Sequence, residues 1–136
     1  MRAYVADQEG HAQLRRLLLE GDDPVVTSEL AQVELASVVR AAERAGRLRE
    51  ADGLLARIEA DCAEDGPLTL LVLRPNPVLG LARRLLDLHR LRTLDAIHLA
   101  VALEDGRRVA GDEQLQLVTR DEQQRGAALA AGLAVQ

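Results

Sequence analysis

RTLDAIHLAVALEDG, Arg92 to Gly106, is the stretch whose reading decides the fold. Thr93 can cap a helix that runs from Leu94 to about Glu104 and stops at Gly106. Ala96, Ile97, Leu99, Ala100, Val101, Ala102 and Leu103 leave that helix almost no polar face, so it is expected to be buried nearly all round. Asp95 is the exception, in the first turn. It can complement the positive end of the helix dipole, or it can belong to a site, and its position alone supports both readings. His98, three residues on, reads more readily as a hydrogen-bonded core residue than as a ligand.

Working outward, apolar runs of strand length alternate with helical patterns. A helix is expected over His11 to Leu19, closed by Gly21. The segment from Pro24 to Ser28 is a short strand, and Ser28 can cap the next helix, which stops at Gly46. A second amphipathic helix lies within residues 47–66, and Asp65, Gly66 and Pro67 break the chain. Leu68 to Leu73 is a continuous apolar run, as in a buried parallel strand. Asn76 as cap and Pro77 at the first helical position start a helix to about Leu88. Gly106 to Gln114 reads as a polar loop. Leu115 to Thr119 is a strand, and Asp121 and Gln124 stand at capping-box spacing before a helix that ends at Gly132. Leu133 to Val135 closes the chain as a short strand. The alternation argues for a single α/β domain over residues 1–136 with a parallel sheet.

Composition narrows the function classes. The 136 residues contain no Phe or Trp, and all 17 basic residues are Arg. The net charge of −5 argues against a surface that grips polyanions broadly, although a local Arg-lined groove is compatible with it. Cys62 is the single cysteine, which excludes an internal disulfide framework and a cysteine-rich zinc site. No signal peptide and no run of membrane-spanning length is present, so a cytoplasmic, bacterial protein with no membrane association is the expectation.

Three carboxylates sit oddly for a solvated surface. On the helix after Ser28, Leu30, Glu34 and Val38 lie four apart with Val33 beside them, which places Glu34 within the apolar stripe. A carboxylate there either snorkels to water or an Arg at the stripe's margin, or is held by a partner or metal. Asp95 opens the buried helix. Asp121 comes after a strand at its C-terminal end, where open α/β sheets place ligand sites; it can equally be a simple helix cap. Thr119, at the same strand end, can hydrogen-bond a carboxylate or a metal-bound water. Three carboxylates converging there would repel one another unless a hard cation held them, and carboxylate oxygens suit Mg²⁺ or Mn²⁺. Arg92 and Arg120 flank two of these positions, as phosphate contacts or as solvated charges.

The segments VVTSELAQVELASVVRAA, LRTLDAIHLAVAL and LVTRDEQQRGAALAAGLAV resemble the signature segments of PIN-domain proteins, in particular the VapC-type toxins of bacterial toxin–antitoxin pairs. The resemblance covers nearly the whole chain in order. It implies a three-layer α/β/α fold around a parallel sheet and a metal-dependent endoribonuclease. Glu34, Asp95 and Asp121 match the family's acidic positions, with Thr119 as the accompanying hydroxyl and Mg²⁺ or Mn²⁺ as the metal. It also implies an RNA substrate, a cognate antitoxin and a homodimer.

The departure is at the start. Family members open with a central strand ending in the first metal-binding Asp, whereas MRAYVADQEG is similar to the segment just after that strand. Met1 stands where the family often has Val, and a Val codon read as a start codon gives such a beginning. The expectation is therefore an absent first strand, with Asp7 too late to replace its Asp. A chain so shortened is expected to be a poor nuclease and marginally stable, or to act as a catalytically impaired binding module that pairs with an antitoxin or with itself. An enzyme of small phosphoesters is the weaker rival, since no phosphate-cradling glycine loop is present.

Overall fold

The structure is a computed structural model that describes residues 10–136. The described residues divide into two compact units, residues 10–70 and 71–136. In the first, α1 is His11–Leu19, β1 Val25–Ser28, α2 Leu30–Arg44, α3 Ala51–Asp61 and β2 Leu68–Leu71, whose last residue opens the second unit. In the second, α4 is Pro75–Leu88 and α5 Thr93–Val101; a π-helical turn, Ala102–Gly106, leads into α6, Arg107–Ala110. Then come β3, Gln116–Leu117, α7, Glu122–Ala130, and β4, Ala134–Val135. Helices and strands alternate as expected. Each strand is shorter than its apolar run, and the described strands form two sheets, β1–β2 and β3–β4.

In the first unit, α2 and α3 pack face to face. Val39, Ala51 and Ile58 are fully buried, with Leu35, Leu48, Leu54 and Leu55 around them. Leu35, Val39 and Ala42 recur at helical spacing and form the inward stripe of α2. Arg40 fastens the outer edge, donating to Glu43 at 3.0 Å and to Asp52 of α3 at 2.6 Å, and these carboxylates push its guanidinium pKa upward. Ser28 Oγ accepts from the Leu30 N–H at 3.3 Å, one of the free amides of α2, although Glu29 and not Ser28 holds the cap position.

In the second unit, Val78, Ala82 and Leu85 line the buried face of α4. They meet α5, in which Ala96, Leu99, Ala100 and Val101 are buried. α7 also contacts α5, and its Ala127 and Ala128 are buried. The β3–β4 ladder is parallel, with Gln116 opposite Ala134 and Leu117 opposite Val135. Two further bonds continue it, Gln136 N–H to the Leu117 carbonyl at 2.9 Å and Thr119 N–H to the Gln136 carbonyl at 3.2 Å.

Glycines punctuate the chain at two helix ends as read. Gly46 (φ 68°) and Gly132 (φ 78°) close α2 and α7. In each case the glycine N–H and the next N–H reach back to carbonyls of the last turn, at 2.9 and 2.9 Å after α2 and 3.0 and 3.0 Å after α7.

Three local expectations are corrected. Gly106 does not end the helix of the opening stretch: its backbone is helical (φ −60°, ψ −48°), and the helix passes through the π turn to Ala110. The segment read as a polar loop from Gly106 therefore begins as helix. Gly106 is buried because a Cβ on it would stand 3.1 Å from Leu115 Cδ2, so its smallness serves packing, and the chain turns at Gly111 (φ 59°) instead. Thr93 is the first residue of α5 and makes no capping bond; Arg92, with an extended backbone, holds the cap position. At α4, Asn76 is extended (φ −113°, ψ 118°) within the assigned range and the regular helix follows from Pro77, but Arg74 and not Asn76 holds the assigned cap position.

Candidate functional site

Glu34 lies on α2 in the first unit, half-buried, and outside the stripe that the sequence suggested. Val33 and Val38, read as its apolar companions, are 68% and 46% exposed. The inward stripe is one residue further on, at Leu35, Val39 and Ala42, and one residue is about 100° of helix rotation. Glu34 thus stands half-buried beside the inward face, a position that fits either of the two readings left open. Asp7 lies outside the described residues.

The second unit brings Asp95, Thr119 and Asp121 into one hydrogen-bonded arrangement. Asp95 is half-buried in the first turn of α5. Asp121 has an extended backbone and caps α7; its Oδ1 accepts from the N–H groups of Gln123 and Gln124, both at 2.9 Å. A carboxylate there also faces the positive end of the helix dipole. The Asp121 N–H donates to Thr119 Oγ1 at 3.2 Å, and Thr119 Oγ1 donates to Gln124 Oε1 at 2.6 Å. Gln124 Nε2 then donates to the Asp95 carbonyl oxygen at 3.2 Å. Gln124 is a residue that the sequence marks only by its spacing. That spacing suits a capping box closed on the Asp121 N–H, but the side chain turns to Thr119 and Asp95 instead.

The direction of this chain of bonds is set by donor chemistry. A backbone carbonyl can only accept, so the Gln124 amide nitrogen must face Asp95 and its oxygen must face Thr119. Thr119 has one hydroxyl proton and commits it to Gln124, while its lone pairs accept from Asp121. In this arrangement Thr119 has only acceptor capacity left for a ligand. The cap on Asp121 uses one carboxylate oxygen.

Two further features of the second unit have no local signal in the sequence. Asp105, in the π turn, is 2% exposed and receives Arg74 through Nε (2.8 Å) and Nη2 (2.5 Å) and Arg108 through Nη2 (3.3 Å), all at Oδ1. Its Oδ2 is buried without a hydrogen-bond partner. Arg74 and Asp105 stand 31 residues apart, and no local pattern links them. A shallow cleft of about 300 Å³, lined by Arg107, Glu113, Leu115 and Leu133, opens at the starting ends of β3 and β4. Since the strands are parallel, it lies at the end opposite Thr119 and Asp121. Arg92 and Arg120 are both exposed, and His98 is half-buried in α5.

Asp95 and Asp121 offer carboxylate oxygens, the donors that a hard divalent cation takes. Among the described residues, no group of three or more His, Cys, Asp or Glu side chains is placed to hold a metal ion. No described helix is long and apolar enough to cross a membrane.

No curated protein and no solved structure matches the chain. The family model for the PIN domain matches residues 1–129, across both compact units. PIN domains are usually nucleases and generally use divalent metal ions. The match begins at the first residue and lends no support to an absent strand. With nearly its whole length matched, and with the mixed helices and parallel strands just described, the chain belongs to the PIN domain family.

Proposed function

We propose that the protein is a metal-dependent endoribonuclease of the VapC type, the toxin of a toxin–antitoxin pair, acting on RNA phosphodiester bonds as a single domain of three-layer α/β/α form. The observation that carries this reading is the linkage of Asp95 to Asp121 through Thr119 and Gln124, in a chain whose family is usually nucleolytic. Asp95 and Asp121, with Glu34, would hold Mg²⁺ or Mn²⁺. Such an ion, when bound, polarises water and the phosphate it contacts. The chain itself supplies a carboxylate at a helix cap, a second in the first turn of α5, and the exposed Arg92 and Arg120 beside them for substrate phosphates.

This reading places the protein in the cytoplasm, as a homodimer inhibited by a small cognate antitoxin. The experiment is cleavage of end-labelled RNA by the full chain with Mg²⁺ or Mn²⁺, beside Asp95→Asn. Metal-dependent cleavage that Asp95→Asn abolishes supports the reading. Cleavage indifferent to Asp95, or none in either metal, overturns it.

A further inference from the structure

We propose that Arg74 and Arg108, gathered on the buried carboxylate of Asp105, form a binding site for a phosphate group. The site uses none of the residues on which the nuclease reading rests and needs no metal ion.

Asp105 lies in the π-helical turn, and its side chain is 3% exposed. Turns of this kind are rare and recur at functional sites. Arg74 reaches Oδ1 through Nε at 2.8 Å and Nη2 at 2.5 Å, and Arg108 reaches the same atom through Nη2 at 3.3 Å. The two Nη2 atoms therefore lie no further apart than those last two distances laid end to end. Guanidiniums so close repel each other, and one carboxylate offsets only one of the two charges. An arginine that only neutralised Asp105 would take both carboxylate oxygens in a fork, whereas Oδ2 has no hydrogen-bond partner. The Arg74 and Arg108 side chains are 45% and 67% exposed, so the positive pair opens to solvent while its anchor does not. A guanidinium has five N–H donors, so each arginine keeps donors beyond those facing Asp105. Their planar forks match the oxygens of a phosphate, whose charge would offset the excess positive charge of the pair. Asp105 holds both arginines in place before a ligand arrives, which reduces the side-chain freedom lost on binding.

The test reads binding of inorganic phosphate to the full chain by titration calorimetry, and of a fluorescein-labelled single-stranded RNA by anisotropy, both in EDTA. Arg108→Gln removes one positive charge and only the longest of the three contacts. Arg74→Gln removes the other two. Arg107→Gln, next in sequence to Arg108 and bound instead to the Ala131 carbonyl, makes the same change of net charge outside the site. Expected are a loss of about tenfold in phosphate affinity for Arg108→Gln and for Arg74→Gln, and wild-type affinity for Arg107→Gln. If the phosphate belongs to an RNA backbone, Arg108→Gln also lowers the salt slope of RNA binding by about 0.7. An unchanged slope, with phosphate affinity lost, assigns the site to a small phosphate compound.

Wild-type phosphate affinity in both site variants overturns the inference, as does equal weakening in Arg107→Gln, which would make it a matter of net charge. A wild-type chain that binds no phosphate overturns it as well. If Arg74→Gln fails to fold by circular dichroism, Arg108→Gln against Arg107→Gln decides in the same way. EDTA removes metal from every titration, so a chain that holds phosphate here and cleaves no RNA brings down the nuclease reading alone. A chain that cleaves RNA while these variants bind phosphate as wild type does brings down this inference alone.

Discussion

Arg74 and Asp105 form an ion pair in the second unit, with two guanidinium nitrogens converging on Oδ1 while the Asp105 side chain is only 3% exposed. The pair ties the entry of α4 to the π turn beyond α5. Arg74→Met would leave a buried carboxylate with only the long contact from the more exposed Arg108. Since the Arg74 side chain is 45% exposed, the loss falls below that of a wholly buried pair, at about 2–3 kcal/mol of folding stability. Arg74→Met combined with Asp105→Leu should recover part of it, because two apolar groups leave no uncompensated charge. Urea denaturation of both variants checks this, and an Arg74→Met chain as stable as wild type would show that the pair holds nothing.

Asp121 is a helix cap and a proposed ligand, and the two roles separate by substitution. Asp121→Ala removes the acceptor for two amides and should cost about 1 kcal/mol. Asp121→Asn keeps a cap oxygen and should lose only the charge–dipole contribution, about 0.3–1 kcal/mol. Both should lose metal-dependent RNA cleavage. Thermal melts read beside cleavage assays distinguish a residue that only caps, for which Asp121→Asn would remain active.

Gly53 in α3 and Gly126 in α7 are helical, and a Cβ on either would meet nothing within 4 Å. Alanine at each should stabilise the protein by about 0.5–1 kcal/mol, by restricting the unfolded chain and improving helix propensity. Gly66→Ala should do the reverse, because its Cβ would meet the Asp61 carbonyl. Chemical denaturation of the three variants should give opposite signs. A destabilised Gly53→Ala would mean that the position packs against something in solution.

Burial pushes the Cys62 thiol pKa up, the Asp61 charge pushes the same way, and a hydrogen bond with Gln32 opposes them. The thiolate is the reactive form, so alkylation by iodoacetamide should be slow at neutral pH and should rise only above the ordinary thiol range. Because the folded chain holds the proton more tightly than the unfolded one, this group's contribution to stability is present below the unfolded pKa and is lost as pH rises through the folded one. Asp61→Asn should move the labelling midpoint downward. A midpoint below that of a free thiol would contradict the burial of Cys62.

The line between what is legible in the sequence and what is not tracks the range of the interactions. Glu34 reads as part of the inward stripe because the α2 pattern allows two adjacent stripes, Leu30–Glu34–Val38 and Leu35–Val39–Ala42. Only the packing of α3, through Ala51 and Ile58, selects the second. Gly106 misleads for a related reason: glycine marks a helix end by default, and its contact with Leu115 is a tertiary fact.

What the sequence by itself determined were the local signals. The Gly46 and Gly132 stops, the extended Asn76 before Pro77, the Asp121 cap and the burial of Ala96, Leu99, Ala100 and Val101 all come from backbone preference and helical period within a few residues. Tertiary structure alone decided that Gln124 binds Asp95 and Thr119, and that Arg74 meets Asp105. Those bonds join residues as far as 29 and 31 positions apart, and a polar side chain selects among distant partners only once the packed helices bring one within about 3 Å.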